Sequence, residues 1–359
     1  MTRILKSGRK NQRVREKDVT LVALKIEEGD YESMVVRGCE KLEKVMAENL
    51  TVVTEFLLLG FSSLGEIQLA LFVVFLLLYI VILSGNVTII SVIHQDQNLH
   101  TPMYFFLGIL STSETFYTFV ILPRMLINLL SVARTISFIC CAIQMFFFLG
   151  FAMNNCLVLG VMGYDRYAAI CHPLHYPTLM NWQVCGKLAA ACGIGGFSAS
   201  LILVNLVFSL PFCGANKVNH YFCDITPVIR LACTNTDVYE FVVCICGVLA
   251  VVVPFLCLCV SYLCILRTIL KIPSAEGRQK AFSTCASHLT VVIVHYGCAS
   301  YIYLRPTAKY VSGKVRLVTV MYTVVTPLLS PMVYSLRNKD VHVALRQVLG
   351  KKGSLKLNN

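Results

Sequence analysis

The side chains that could carry chemistry in this sequence are few, and they stand far apart. Glu114 is an acid inside a long apolar run, where burying a carboxylate is expensive enough to suggest a functional role. Asp165, Arg166 and Tyr167 stand together at the end of another apolar run. We find no nucleophile paired with a base and no glycine-rich loop that could hold a phosphate. We therefore expect no enzyme activity and no catalytic residue.

Seventeen cysteines are spread over the chain, and four of them lie in or beside polar connecting segments. Cys213, Cys223 and Cys233 are spaced ten residues apart, and Cys141 opens an apolar run. On an oxidising face they could form disulfides, for which four cysteines allow three pairings. The run His220–Asp224 could instead bind a soft metal ion, but only if Cys223 were free. We expect disulfides here and no metal site.

The elements that must position these groups are membrane-spanning helices. The chain has 359 residues, of which 57% are hydrophobic and only 14% are charged, against about 25% charged in a soluble domain. A hydrocarbon core about 30 Å thick needs about 20 apolar helical residues to cross it. Seven runs qualify, numbered here as spans one to seven: Gln68–Ile93, Met103–Leu126, Phe138–Val161, Val184–Phe208, Tyr239–Ile265, Phe282–Leu304 and Leu317–Leu336. The sequence predicts an all-α membrane protein with a seven-transmembrane helix bundle.

The net charge of +12 does not by itself indicate a nucleic-acid partner, because few basic residues lie inside the apolar runs. Basic loops beside membrane helices are the ordinary alternative, and Lys and Arg concentrate on the cytoplasmic side. With the N-terminus outside, the cytoplasmic side holds 12 Lys and Arg and the outer side holds 8. We therefore predict a multi-pass protein with an extracellular N-terminus, with the lipid bilayer as partner and no nucleic acid.

The segment before the first span divides in two. Residues 1–45 mix basic and acidic residues and contain no apolar stretch of the signal-peptide kind. They are either a disordered or weakly helical outer tail, or an extension from a start codon upstream of Met46, and we favour the second. Residues 46–67 follow as an extracellular tail, with a glycosylation sequon at Asn49.

The remainder consists of a helical domain and a short tail. Residues 68–336 contain the seven spans. In the tail, residues 337–359, apolar residues recur at helical spacing within Arg337–Leu349. This pattern predicts a short amphipathic eighth helix that lies on the inner membrane face.

Six short strings, in order along the chain, identify a family resemblance. They are Gly85-Asn86, Leu99-His100-Thr101-Pro102-Met103-Tyr104-Phe105-Phe106-Leu107, Met162-Gly163-Tyr164-Asp165-Arg166-Tyr167-Ala168-Ala169-Ile170-Cys171, Ser261-Tyr262, Lys280-Ala281-Phe282-Ser283-Thr284-Cys285-Ala286-Ser287-His288-Leu289, and Pro327-Leu328-Leu329-Ser330-Pro331-Met332-Val333-Tyr334-Ser335-Leu336-Arg337-Asn338. One such string would be weak, but six in order are specific. The chain resembles a tetrapod-type (class II) odorant receptor of the rhodopsin-like G-protein-coupled receptor superfamily. The resemblance covers roughly Asn49 to Gly350 and implies the plasma membrane as location.

The resemblance implies a coupling site at the inner end of span three. In such receptors the arginine turns inward on activation, and the terminal helix of a stimulatory (olfactory) G-protein α-subunit docks below it, which raises cyclic AMP. Here that arginine is Arg166. The expected coupling and activation residues are Asp165, Arg166, Tyr167, Tyr262, Pro331 and Tyr334. Arg278 and Lys280 stand at the base of span six, so no acidic partner that would restrain Arg166 is evident there.

The resemblance also implies a ligand pocket between spans three, five, six and seven. Helical spacing from the motifs selects Phe148, Leu149, Ala152, Met153, Cys156, Cys246, Gly247, Ala250, Ala299, Ser300, Tyr303, Val320 and Thr323, with Tyr296 as the candidate moving side chain. For each residue the alternative is plain helix packing. The set is apolar with a few hydroxyls and no charge, which predicts a small, volatile, neutral and mainly apolar odorant. No cofactor is expected.

Two further sites follow from the resemblance. It implies disulfides Cys141–Cys223 and Cys213–Cys233, with Cys141–Cys233 as the main alternative. Glu114 aligns with the acid that binds sodium in many related receptors; the alternative is a protonated Glu114 hydrogen-bonded to Asn86 or Ser330. Ser330 departs from the asparagine usual in the family, which weakens this polar network.

Two other functions stay open at this stage. A rhodopsin-like receptor for a non-olfactory small molecule would have the same fold and the same coupling. A transporter or channel would be expected to show inverted repeats or paired half-helices, which we do not find in the sequence.

Overall fold

The computed structural model describes residues 53–131, 133–214, 216–304 and 312–336, together with Val341, Val343, Ala344 and Arg346. The chain divides into the units Met1–Val52 and Val53–Asn359. The predictions for residues 1–45, for Met46 and for the Asn49 sequon lie outside the described residues. Most of the predicted eighth helix also lies outside them. The four described residues of that segment are helical, and Val341 and Ala344 are buried.

Seven helices within the described residues are long and apolar enough to cross a membrane, so the predicted seven-helix membrane fold is confirmed. Their bounds are Gln68–Gln95, Pro102–Leu130, Phe138–Cys171, Trp182–Phe208, Asp237–Leu270, Ala275–Tyr303 and, for span seven, 312–336. Most helices extend past the predicted apolar runs, because a helix continues into polar residues at the membrane interface. Span three is the most buried and lies at the centre of the bundle.

Local signals explain where several spans begin. The side chain of Asn181 accepts a hydrogen bond from the Val184 N–H at 2.9 Å, and Ser137 caps span three by accepting from Cys140. Ser274 does the same at span six. Such caps satisfy backbone N–H groups that a helix start leaves unpaired. Pro102 stands at the first position of span two, where proline costs no hydrogen bond.

Spans five and seven each contain one wide turn of π-helix. These turns are Val248–Val252 and Met321–Val325. Each one ends just before a proline, Pro254 or Pro327. Proline has no N–H to donate to the carbonyl four residues back and its ring crowds that carbonyl, so the local ladder must widen or break. A π-turn carries an extra residue and therefore changes which side chains face inward after it.

Spans three and four pack closely because a glycine stands at their contact. A Cβ at Gly196 would lie 3.0 Å from the Asn154 amide nitrogen and 3.1 Å from the Gly150 carbonyl oxygen. Ser200 also donates to the Phe146 carbonyl at 2.7 Å, across the same two spans. Small residues and such hydrogen bonds are the usual contacts between helices in lipid. Of the glycines Gly193–Gly196 in span four, Gly196 makes this backbone contact.

A small sheet covers one end of the bundle, which we call the lid end. Its central strand β1, Glu55–Leu58, pairs antiparallel with β2, Thr135–Ser137, and parallel with β3, Lys217–Val218. Phe56 of β1 is fully buried and stacks on Phe138 with ring centroids 5.9 Å apart. The sheet joins the N-terminal tail to two loops, and the sequence patterns did not predict it.

Candidate functional site

The end of the bundle opposite the lid holds the predicted coupling residues, and we call it the Arg166 end. Asp165 is buried, and its Oδ1 accepts a hydrogen bond from the Tyr176 hydroxyl at 2.8 Å. Tyr176 begins the short helix Tyr176–Leu179 in the loop after span three. Burial and the neighbouring Asp165 raise the pKa of Tyr176, so its hydroxyl keeps the proton that it donates. Sequence reasoning missed this tyrosine, because nothing in the local pattern shows that the loop folds back.

Two of the other predicted coupling residues, Tyr262 and Tyr167, also form side-chain hydrogen bonds. The Tyr262 hydroxyl lies 2.6 Å from Nδ1 of His288, which joins spans five and six. Tyr167 lies 3.0 Å from Nε2 of His172 through its hydroxyl. The Tyr334 hydroxyl is buried and has no hydrogen-bond partner among the described residues. Tyr262 thus contacts His288, which belongs to the Lys280–Leu289 string. The sequence did not show that these two residues would be partners.

Pro331 shows why a glycine stands in the first motif. A Cβ at Gly85 would lie 2.9 Å from the Pro331 Cβ, so any larger residue would push spans one and seven apart. Asn86, the next residue, donates to the Pro327 carbonyl at 3.3 Å and to the Ile82 carbonyl at 3.1 Å. Gly85 and Asn86 therefore fasten span one to the proline-containing part of span seven.

The predicted polar network is brought together only in part. Ser330 donates to Oε1 of Glu114 at 2.7 Å, and both side chains are buried. Oε2 of Glu114 has no partner among the described residues. Asn86 bonds to backbone carbonyls instead of to Glu114. Glu114 and Ser330 thus form the pair, as one of the predicted alternatives has it, and Asn86 lies outside it.

A small cavity of about 30 Å³ lies inside the bundle below the lid end. Eight predicted residues line it: Leu149, Ala152, Met153, Cys156, Gly247, Ala250, Ala299 and Tyr303. Five more were not predicted: Leu203, Ile225, Val243, Val251 and Tyr322. The lining is apolar except for the two tyrosines and the thiol. The cavity is therefore a candidate site for an apolar ligand.

Six predicted pocket residues do not line this cavity, namely Phe148, Cys246, Tyr296, Ser300, Val320 and Thr323. Phe148 packs on Phe222 with ring centroids 4.6 Å apart. Val320 and Thr323 were placed by regular helical spacing, but the π-turn Met321–Val325 changes the phase of span seven. Tyr322 faces the cavity as a result, and Thr323 bonds to the Tyr221 hydroxyl at 2.8 Å.

Tyr296, the predicted moving side chain, lies behind the cavity wall. Its hydroxyl donates to the backbone carbonyl of Cys156 at 2.5 Å. Cys156 itself lines the cavity. Tyr296 therefore contacts the ligand site through span three, one hydrogen bond away.

A much larger groove, of about 880 Å³, lies against spans one to four. Phe116, Phe119 and Phe147 line it and are 52%, 49% and 40% exposed. In a bilayer, exposed aromatic side chains at mid-span contact lipid tails. We therefore take the smaller cavity, whose wall contains fewer exposed side chains, as the candidate ligand site.

The loop 209–236 covers the cavity. One disulfide joins Cys223 of this loop to Cys141 of span three, with a Cα–Cα distance of 5.5 Å. A second disulfide, Cys213–Cys233, lies within the loop, with a Cα–Cα distance of 5.9 Å. Cys223 is therefore not a free thiolate that could serve as a metal ligand. Its backbone N–H also donates to Oε1 of Gln144 at 3.0 Å, which fixes the loop to span three.

A buried acid in this loop was not among the predicted site residues. Oδ1 of Asp224 accepts from the Ile225 N–H at 2.8 Å and from the Tyr303 hydroxyl at 3.4 Å. Burial raises the pKa of Asp224 to about 6. Burial and nearby Arg316 lower the pKa of the adjacent His220 to about 3, so that imidazole stays neutral. The predicted pocket set contains no charged residue, yet Asp224 lies one hydrogen bond behind the cavity-lining Tyr303.

Comparisons with known proteins agree with this architecture. The family model described as "Olfactory receptor" matches residues 75–352. The human protein Olfactory receptor 10R2 is 86% identical over 316 residues, covering 88% of this chain and 94% of that protein. Human Olfactory receptor 10T2 is 61% identical over 300 residues, covering 84% and 95%. Mouse Olfactory receptor 10J5 is 51% identical over 306 residues, covering 85% and 99%. The chain therefore belongs to the olfactory receptor family and is a multi-pass membrane receptor, not an enzyme.

Proposed function

We propose that this odorant receptor binds a small, volatile, neutral and mainly apolar odorant in the cavity between its helices. The receptor then activates a stimulatory (olfactory) heterotrimeric G protein, which raises cyclic AMP. The observation that carries the proposal is the apolar cavity beneath a loop joined to span three at Cys141. Cys156 lines the cavity and Arg166 stands less than three helical turns further along the same helix.

The orientation is part of the proposal. We place the lid end outside the cell and the Arg166 end in the cytoplasm of a plasma-membrane receptor. Paired cysteines at the lid end support this orientation, because disulfides form and persist on oxidising faces. The basic bias of the opposite loops supports it too. The same orientation would place the Asn49 sequon outside.

The cavity is small, and its size points to a mechanism. A volume of about 30 Å³ is close to the share of one water molecule in the liquid, whereas ligand pockets measure about 300–1,000 Å³. An odorant must therefore select an expanded arrangement of the spans. It activates to the extent that it binds the active arrangement more tightly than the resting one.

At the Arg166 end we assign coupling roles to Asp165, Arg166 and Tyr167, and to Tyr262, Pro331 and Tyr334 on spans five and seven. In the resting arrangement the Tyr176 hydroxyl holds Asp165. Tyr262 is held by His288. Movement of span six would break the second of these bonds and free Tyr262 to turn toward Arg166. Glu114 and Ser330 would form the polar centre between the two ends, with sodium as a ligand to be tested.

The test is cyclic AMP in cells that express the receptor and are given odorant panels. Arg166→Ala should abolish the response to any odorant that activates the wild type, with surface staining unchanged. Lys187→Ala is the matched control, because Lys187 is an exposed cation of span four near the same end. Equal responses from the wild type and Arg166→Ala would show that the role assigned to Arg166 is wrong.

A further inference from the structure

Cys156 of span three is held by two consecutive residues of span six. Its Sγ lies 3.3 Å from Nε2 of His295. Its backbone carbonyl accepts the Tyr296 hydroxyl at 2.5 Å. Because Cys156 also lines the cavity, a ligand that touches it lies one contact away from both span-six residues.

One ring nitrogen of His295 is buried without a hydrogen-bond partner among the described residues. The side chain is only 3% exposed, and Nδ1 has no hydrogen-bond partner among the described residues. Leaving a buried polar group unpaired is costly, and such groups in native proteins call for an explanation. The His295 ring packs against Tyr322, another cavity-lining residue, with ring centroids 5.2 Å apart. The His295 ring, which carries the unpaired nitrogen, thus contacts two cavity-lining residues, Cys156 and Tyr322, from behind the wall.

The pair can present either kind of hydrogen-bonding atom. If the Cys156 thiol donates to Nε2, the proton of the neutral imidazole is on Nδ1, which then donates. If Nε2 carries the proton and points at sulfur, Nδ1 accepts. A single ligand oxygen can satisfy either form: a carbonyl accepts from Nδ1–H, and a hydroxyl can donate or accept. The Tyr303 hydroxyl, also on the cavity wall, already donates to Asp224.

We propose that His295 and Cys156 form a polar subsite that binds one oxygen atom of the odorant. The ligands of this receptor are then monofunctional oxygenated compounds, such as alcohols, aldehydes and ketones on an apolar skeleton. This inference rests on the proposed function, since it names the chemical class of ligand for the same cavity. Binding at His295 would also pull directly on span six, next to Tyr296.

The experiment measures cyclic AMP dose–response curves for probes matched in skeleton. Octanol and octanal are compared with octane, and carvone with limonene. The wild type should respond to the oxygenated members of a matched set and not to the hydrocarbons. His295→Phe keeps a ring of similar size and removes both nitrogens; it should raise EC50 for the active oxygenated probe about tenfold, which corresponds to about 1.4 kcal/mol. His295→Asn, whose amide can both donate and accept, should stay within about threefold of the wild type.

Thr290→Val serves as the control in the same helix, because Thr290 is exposed and its hydroxyl donates to the Ala286 carbonyl within its own helix. Surface staining is measured for every variant. An unchanged EC50 in a surface-expressed His295→Phe overturns the subsite, as does a wild type that responds equally to hydrocarbons. If no His295 variant reaches the surface, the selectivity of the wild type decides the question alone. If the wild type gives no cyclic AMP response to any probe in the panel, the proposed function is overturned and this inference with it.

Discussion

Replacing Asp224 by asparagine should make the receptor more stable at neutral pH. Asp224 is fully buried in the loop over the cavity, and its pKa is raised from 3.8 to about 6. Since one pKa unit corresponds to about 1.36 kcal/mol, keeping this carboxylate ionised in the folded state costs about 3 kcal/mol. The substituted side chain would carry no charge, and its amide oxygen could still accept from Tyr303 and the Ile225 N–H. Asp224→Asn should therefore recover most of that cost.

The sign of the pH dependence follows from proton binding. Between about pH 4 and about pH 6 the folded state holds a proton on Asp224 that the unfolded state has lost, so the contribution of Asp224 to stability falls as pH rises through this window and levels off above about pH 7. About half of the loss, about 1.4 kcal/mol, falls between about pH 5 and about pH 7.5. His220 acts in the opposite direction, because its pKa is lowered from 6.5 to about 3 and the unfolded state therefore binds a proton that the folded state lacks. Its contribution to stability rises by about 2 kcal/mol between about pH 5 and about pH 7.5, so the Asp224 contribution is read from the difference between the wild type and Asp224→Asn.

The assay is thermal unfolding of purified receptor followed by circular dichroism at these two pH values. Asp224→Asn should melt at a higher temperature than the wild type at both pH values, and its advantage should be larger by about 1.4 kcal/mol at the higher pH. Asp237→Asn is the control, because Asp237 is an exposed acid near the same end. An Asp224→Asn receptor that is less stable than the wild type at neutral pH, or whose advantage over the wild type does not grow between the two pH values, would refute the reasoning.

Two further pairs of substitutions test how the bundle and its lid are held together. Gly196→Ala should destabilise the receptor by about 1–3 kcal/mol in the same melting assay, because its Cβ would meet the backbone of span three. Gly193→Ala, with nothing within 4 Å, should be neutral, and equal effects would contradict the packing described. Cys141→Ser should cost more than Cys213→Ser by about 1 kcal/mol, because the first bridge closes 82 residues and the second closes 20. The reverse order would mean that loop closure does not determine the contribution of these bridges.

The seven spans could be predicted because each is a long apolar run, and run length alone decides whether a helix can cross a bilayer. The three-stranded sheet could not be predicted. Its strands are four, three and two residues long and stand far apart in the chain. Segments this short carry no readable alternation, and their pairing is fixed only once the helices bring the loops together.

The candidate ligand site could be predicted only where the helices are regular. Spacing along span three selected Leu149, Ala152, Met153 and Cys156, and all four line the cavity. In span seven the π-turn before Pro327 changes which positions face inward, so Tyr322 lines the cavity where Val320 and Thr323 were expected. Prolines in the sequence mark such turns, but they do not say how the turn will be accommodated.

Contacts made by loop residues could not be predicted from the sequence, for a different reason. Tyr176 reaches Asp165, and Asp224 reaches Tyr303, across 11 and 79 residues of chain. Neither pair has a helical or strand periodicity that would bring its members together. The identity of the partners becomes clear only from the way each loop folds back on the bundle.

The central claim is that a ligand in the cavity activates a stimulatory G protein through Arg166. Its most direct test is nucleotide exchange on a purified stimulatory α-subunit with its partner subunits, catalysed by receptor in lipid nanodiscs. An odorant that raises cyclic AMP in cells should accelerate exchange in this system with the wild-type receptor and not with Arg166→Ala. Exchange rates that the odorant does not change, or equal acceleration by both receptors, would contradict the account.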